Sequence, residues 1–529
     1  MRPGTWHAGS VRVTSSILPR AAALGVLGVL VAACATGPSL RPELALSGHQ
    51  QGVDATPTEE AEPDEPEEEP LPPIPVPEDQ PSWASCTEGT LEVPTDTDAP
   101  DIQCATLFGP LDVDGGPGTI RIELLRAVPT EAEETAGPVV LTAGADTSSR
   151  QAAIDLATGD HAPDRPVVAV ERRGMGPATA PDCLTESERR GLTAAGAEGS
   201  DPAARAEQMG NTVNGATVAC TDMLRPALSS HDARHAAADI AVLKDAWQVD
   251  QIALLALGSG VDVALAYAAE DPDGLARLVL DSPTPVGVSA ADIERGRARA
   301  AESALDALAA WCVGADCALG PDATDRLTGM FDRAADSGLG PVTVGALRTT
   351  IETHLTGLAP DFDTRARELT DLLAAADDGG DGAREAIAAA AVLGDGRFTA
   401  VCSDAPGGAT QADVIAEYDQ WAEQYPRVGA DAALRMLQCA AWPSQDRPAG
   451  AERIEVPVLV LTGAADPVAG AGATDPVLGA LQRAGASTLT VNWAGTGHGA
   501  GWQSDCAADQ IADYLDTGLL PMIAPSCPA

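Results

Sequence analysis

Residues 254–274, "LLALGSGVDVALAYAAEDPDG", decide how the chain is read. An apolar run stops at Gly258-Ser259-Gly260, and an alanine-rich segment with helical spacing begins at once. A buried strand that enters a helix through so short a turn places the turn at the edge of a sheet where α/β proteins bind ligands. Ser259 is the only hydroxyl in that turn, so the first question is whether it is a nucleophile.

Outward from this stretch the pattern repeats. "PVVLTAG" (138–144) and "PVVAVERRG" (166–174) are short β-branched runs that end in glycine, the signature of buried parallel strands. "TIRIELLRAV" (119–128) alternates as a strand. "ARHAAADIAVLKDAW" (233–247) has helical periodicity before the elbow, and "LARLVLDSP" (275–283) is a strand after it. "VPVLVLTG" (456–463) and "STLTVNWAG" (487–495) are strands again. Strands alternating with helices specify an α/β fold whose mostly parallel sheet is covered on both faces. From Pro283 to about Pro448 the segments are helical instead, for example "AADIERGRARAAESALDALAAW". An insertion of that kind between two sheet strands predicts a helical cap over the ligand edge, residues 284–447, between core segments 83–283 and 448–529.

The formal net charge is −46, with a single lysine, Lys244, and this excludes nucleic-acid binding, which needs basic patches for phosphate. The first segment gives the compartment. Arg12 and Arg20 precede "AAALGVLGVLVAAC", an apolar run too short to span a bilayer comfortably and suited to a signal-peptide core. Its end, Val31-Ala32-Ala33-Cys34, resembles a bacterial lipobox. Residues 1–33 are therefore expected to be a lipoprotein signal peptide, with Cys34 lipidated and the mature protein anchored to the outer face of the cell membrane. A plain secretory signal with an incidental cysteine is the alternative. Residues 34–82 include "TPTEEAEPDEPEEEPLPPIPVPEDQ", with no basic residue and little to bury, and are expected to be an extended, disordered linker.

Ten cysteines remain after Cys34, an even number in a compartment that permits disulfides. Local spacing suggests Cys86–Cys104, Cys183–Cys220, Cys312–Cys317, Cys402–Cys439 and Cys506–Cys527, although spacing does not fix connectivity. No C-x-x-C repeat or H-E-x-x-H occurs, so neither a metal site nor a cofactor is expected. His231 and His235 share a helix face and read as a solvated helix start.

Several landmarks recur in a specific order: "CATLFGPLDVDGGPGTI", "ERRGMGPATAPDC", "AEDPDGLARLVLDSP", "VCSDAP", "LTGAADPVAG", "GTGHGA" and "APSCPA". From about Trp83 onward the chain resembles exported α/β-hydrolases of the tripeptidyl aminopeptidase and prolyl iminopeptidase type. The resemblance implies an α/β-hydrolase fold with a serine, acid and histidine at three strand ends. Asp466, in "TGAADPV", takes the acid's position and His498, in "GTGHG", the general base's.

The elbow departs from that pattern. Counting back from Pro272 and Asp281 puts Gly258, not Ser259, at the nucleophile's place, with Ala256 and Gly260 at the flanking glycine positions. Glycine cannot form an acyl-enzyme. The oxyanion turn departs as well: where relatives carry a Gly-Gly-Pro-Gly-like sequence, this chain has Ala143-Gly144-Ala145-Asp146, and a carboxylate there opposes a developing oxyanion. The resulting expectation is a pseudoenzyme that binds peptides, small acyl compounds or envelope partners beneath the cap. It carries a void at Gly258, and its Ser259 points away from His498. The alternative is an active serine hydrolase, an aminopeptidase or esterase using Ser259, His498 and Asp466.

Overall fold

The computed structural model describes residues 70–86, 91, 100–130, 132, 136–195, 201–359, 361–390, 393–405, 407–443 and 450–529. The signal peptide, Cys34 and most of the acidic linker lie outside them.

Among the described residues ten strands form one sheet: β1 (Ala84–Ser85), β2 (Asp101–Pro110), β3 (Thr119–Val128), β4 (Val139–Thr142), β5 (Val167–Val170), β6 (Ile252–Leu257), β7 (Leu275–Asp281), β8 (Val458–Ala465), β9 (Thr488–Thr496) and β10 (Ser526–Cys527). Their spatial order is β1-β2-β3-β5-β4-β6-β7-β8-β9-β10. The β1–β2–β3–β5 pairings are antiparallel, and every pairing from β5 through β4 to β10 is parallel. Every residue of β4, β5, β6 and β7 is buried. Period-two geometry sends alternate side chains to opposite faces. Ile252, Leu254 and Ala256 of β6 join one apolar core, while Ala253, Leu255 and Leu257 join the other. Helices therefore cover both faces, as the unbroken apolar runs require.

The helical insertion builds a third core, around Leu305, Leu308, Leu347, Leu369 and Trp421. It is larger than expected from residues 284–447. Helices Glu186–Ala194 and Pro202–Leu224, which precede β6, place Leu192, Met209 and Val213 in the same core. The cap is thus drawn from two stretches of chain, because the β5–β6 connection also has an apolar face that the sheet cannot cover.

The linker boundary moves too. Residues 70–82 are not a free tether: Leu71 N–H donates to the Thr517 carbonyl at 2.8 Å, the Pro72 carbonyl accepts from Arg277 at 3.1 Å, and Ile74 is buried against Leu125 and Val139. Leu71 and Ile74 are apolar side chains in a stretch otherwise rich in proline and acid, and burying them offsets the cost of ordering it.

All ten remaining cysteines are paired as spacing suggested, with Cα–Cα distances from 4.9 to 5.5 Å. His231 and His235 are not solvated: both are buried, and His235 Nδ1 lies 2.6 Å from Asp232, which also caps the helix Ala233–Trp247. Burial, reinforced by Arg173 and Arg172, lowers the pKa of His231 to about 4.

Candidate active site

β6 delivers the chain to the elbow, and helix Gly260–Glu270 carries it away. Gly258 sits at the tip with φ +57°, in the left-handed region that favours glycine. The next glycine answers a different need. A Cβ on Gly260 would collide with the Thr142 carbonyl oxygen, so close approach of β4 requires a residue without a side chain.

Asp466 follows β8 and His498 follows β9, and the two meet. His498 Nδ1 donates to Asp466 Oδ2 at 2.8 Å, while Asp466 Oδ1 accepts the N–H groups of Val468 at 2.9 Å and Ala469 at 3.0 Å. These bonds fix the carboxylate, which in turn fixes the ring and its tautomer. Burial alone would lower the imidazole pKa, but Asp466, aided by Asp146 and Asp281, overrides it and holds His498 above its ordinary value. Its Nε2 is buried and has no hydrogen-bond partner.

The third position holds no serine. A Cβ built on Gly258 would overlap Asp146 Oδ2 and lie 2.8 Å from His498 Nε2. Gly258 therefore does point toward the imidazole, as the spacing argument required. The expected void is not there: the Asp146 carboxylate fills it. Ser259 turns away, its Oγ accepting the Ala145 N–H at 2.8 Å. Its own N–H donates to Asp146 Oδ2 at 2.5 Å. In a serine hydrolase the N–H after the nucleophile and one from the β4 turn receive the oxyanion. Here both are taken by acceptors of the chain itself.

The turn that brings Asp146 in is well supported. Its N–H closes onto the Ala143 carbonyl at 3.3 Å, and Ala143 N–H donates to Ser149 Oγ at 3.0 Å. Buried Glu171 accepts the N–H groups of Ser149 and Arg150 and the Ser148 hydroxyl, fixing the helix that starts there.

Two positioning residues were not singled out from sequence. Asp281, fully buried at the end of β7, accepts the N–H groups of Ala500 at 2.9 Å and Gly501 at 2.7 Å. Ser282 Oγ accepts that of Gly499 at 3.0 Å. Together they clamp the loop carrying His498. The available signal was the acid of "LVLDSP", which served only as a counting mark. Above the elbow and beneath the cap lies a cavity of about 350 Å³, lined by Asp146, Ser259 and Asp262 from the core side and by Ile293, Arg297 and Gln438 from the cap.

Among known proteins, residues 425–527 match the family described as TAP-like protein, an α/β-hydrolase family. The matched segment contains Asp466 and His498 but not the elbow. No curated protein matches the chain. Solved structures similar to it include esterase E22 (12% identity, 79% of this chain and 100% of that one, TM-score 0.37). Esterase RhEst1 from Rhodococcus sp. ECU1013 is another (16%, 74% and 94%, 0.32). A third is 2-hydroxy-6-oxo-6-phenylhexa-2,4-dienoate hydrolase from Rhodococcus sp. strain RHA1 (13%, 78% and 99%, 0.32). At these TM-scores the structures add nothing to the sheet order and the family match. The chain has the α/β-hydrolase fold, with a TAP-like segment at residues 425–527.

Proposed function

We propose that this protein is an exported, lipid-anchored member of the hydrolase fold that has lost serine-type acyl hydrolysis and binds a peptide or small acyl ligand beneath its cap. One observation carries the reading: the nucleophile position is Gly258, and the Asp146 carboxylate occupies both its side-chain space and the adjoining N–H of Ser259. A fixed negative charge where a substrate oxygen must become negative opposes the transition state. The Asp466–His498 pair then has no hydroxyl to activate. The active reading, with Ser259 as nucleophile, has no support in the direction of its side chain.

A fluorophosphonate probe on the purified protein tests this. No covalent labelling and no ester or aminoacyl turnover are expected. Labelling that disappears in Ser259→Ala would restore the active reading. The anchor is tested separately: Cys34→Ala is expected to move the protein into the soluble fraction, and retention in the membrane would remove the lipoprotein reading.

A further inference from the structure

The chain has 78 acidic and 32 basic residues, so a guanidinium left without a carboxylate is not the default. Yet the cap side of the cavity above the elbow gathers arginines whose donors are only partly used. Glu294, buried on helix Ala290–Ala315, receives two of them. Arg297 Nη1 reaches its Oε1 at 3.0 Å, and Arg435 Nε reaches its Oε2 at 3.2 Å. Arg297 Nε donates to the Val468 carbonyl at 3.1 Å. Both arginines line the cavity. Among the described residues, Arg297 Nη2 and both terminal nitrogens of Arg435 have no hydrogen-bond partner, and none of the three is sealed from solvent.

A third guanidinium stands beside them. Arg397, on helix Asp395–Asp404, has no hydrogen-bond or ion-pair partner among the described residues. It lies one turn before Val401, which lines the cavity, and so shares that helix face. Burial lowers its pKa, which Asp146 opposes and Arg297 and Arg435 reinforce. Neighbouring acids are engaged elsewhere: Asp404 with Arg172 at 2.6 Å, Asp232 with His235 at 2.6 Å, and Glu352 with Arg348. The free donors therefore face space that these carboxylates leave open. A guanidinium edge is a planar fork that matches a carboxylate with two parallel hydrogen bonds. Val286, Val288 and Ile293 give the same cavity an apolar wall, which suits a ligand with a body and not a bare inorganic ion. Asp146 on the core side disfavours a multiply charged anion.

We propose, on the reading of this cavity as a ligand site, that its ligand carries a single carboxylate. The terminal nitrogens of Arg435 hold it, with Arg297 and Arg397 beside them, and its apolar body rests on Val286, Val288 and Ile293. A peptide C-terminus and the end of a short fatty acid share that chemistry.

The probe is acetyl-alanyl-alanine with a free carboxylate, titrated calorimetrically into the full-length protein beside its C-terminal amide and hexanoate. The acid is expected to bind about tenfold or more tightly than the amide, because charge-assisted hydrogen bonds are the strong ones. Tighter binding of the peptide acid than of hexanoate supports a peptide C-terminus as the source, and the reverse supports a fatty acid. Arg435→Gln and Arg397→Gln are each expected to weaken the preferred acid about tenfold. Arg397 gives up no partner on substitution, so its variant should fold even where loss of Arg435 leaves Glu294 poorly compensated. Equal binding of acid and amide overturns the carboxylate while leaving the cavity a ligand site. Binding of neither acid, or undiminished binding in both variants, overturns it as well. Fluorophosphonate labelling that is lost in Ser259→Ala would remove the pseudoenzyme reading whatever the carboxylates do.

Discussion

At the scale of single residues, Gly258 and Asp146 depend on each other. Either alone leaves an unfavourable site: a side chain at 258 meets the carboxylate, and an elbow without Asp146 leaves the Ser259 N–H without an acceptor. Gly258→Ser is therefore expected to give no measurable p-nitrophenyl acetate hydrolysis. Its φ of +57° costs a serine ~1–3 kcal/mol, and its hydroxymethyl must displace Asp146. The double variant Gly258→Ser with Asp146→Gly should hydrolyse the ester above background by about tenfold or more, because both nucleophile and oxyanion donor return. Equal rates in the single and double variants would show that Asp146 is no obstacle. The glycine register was legible from spacing to Pro272 and Asp281. The filling of the site was not, because nothing in Ala143-Gly144-Ala145-Asp146 states which way its last side chain turns.

At the scale of elements, the loop after β5 is tied down by a buried fork. Arg173 Nε and a terminal nitrogen meet Asp239 at 2.7 and 2.8 Å, and its remaining donors reach the carbonyls of Pro110, Leu111 and Ser230. Removing one partner leaves a buried charge uncompensated. Asp239→Ala should cost ~3–5 kcal/mol in denaturant unfolding, and a loss below about 1 kcal/mol would mean the carbonyls suffice. The strands were readable because β4, β5 and β6 are almost wholly apolar runs that adjoin a proline or a glycine. Strand β2, next to the short edge strand β1, was less so: "DIQCATLFGP" mixes exposed Phe108 with a glycine and belongs to the antiparallel extension of the sheet. The two cap helices before β6 were missed for a related reason. A helix packed on other helices looks the same in sequence as one packed on a sheet.

At the scale of the molecule, two histidines set opposite limits on stability. His231 is held neutral in the folded state, with its pKa lowered to about 4, so stability is lost as pH falls from the ordinary histidine value of ~6.5 toward 4. His498 is held above its ordinary value, so the stability it contributes is complete below ~6.5 and is lost as pH rises through its folded pKa. His231→Gln should flatten the acid side of the stability profile and Asp146→Asn should lower the His498 pKa seen by NMR. An unshifted His498 resonance in Asp146→Asn would show that Asp146 has no part in setting it. The charge total made no such distinction, because the paired carboxylates and the solvated ones count alike in −46.

The docking of residues 71–74 has a mechanical consequence. Any pull on the chain ahead of Pro70 is received first by Thr517 in the C-terminal helix and by Arg277 near the start of β7. Asp281, which steadies the His498 loop, ends the same strand four residues on, roughly 13 Å away. Parallel neighbours on both sides of β7 share the load through their ladders, so tension arriving at one edge is spent across the sheet before it reaches the other.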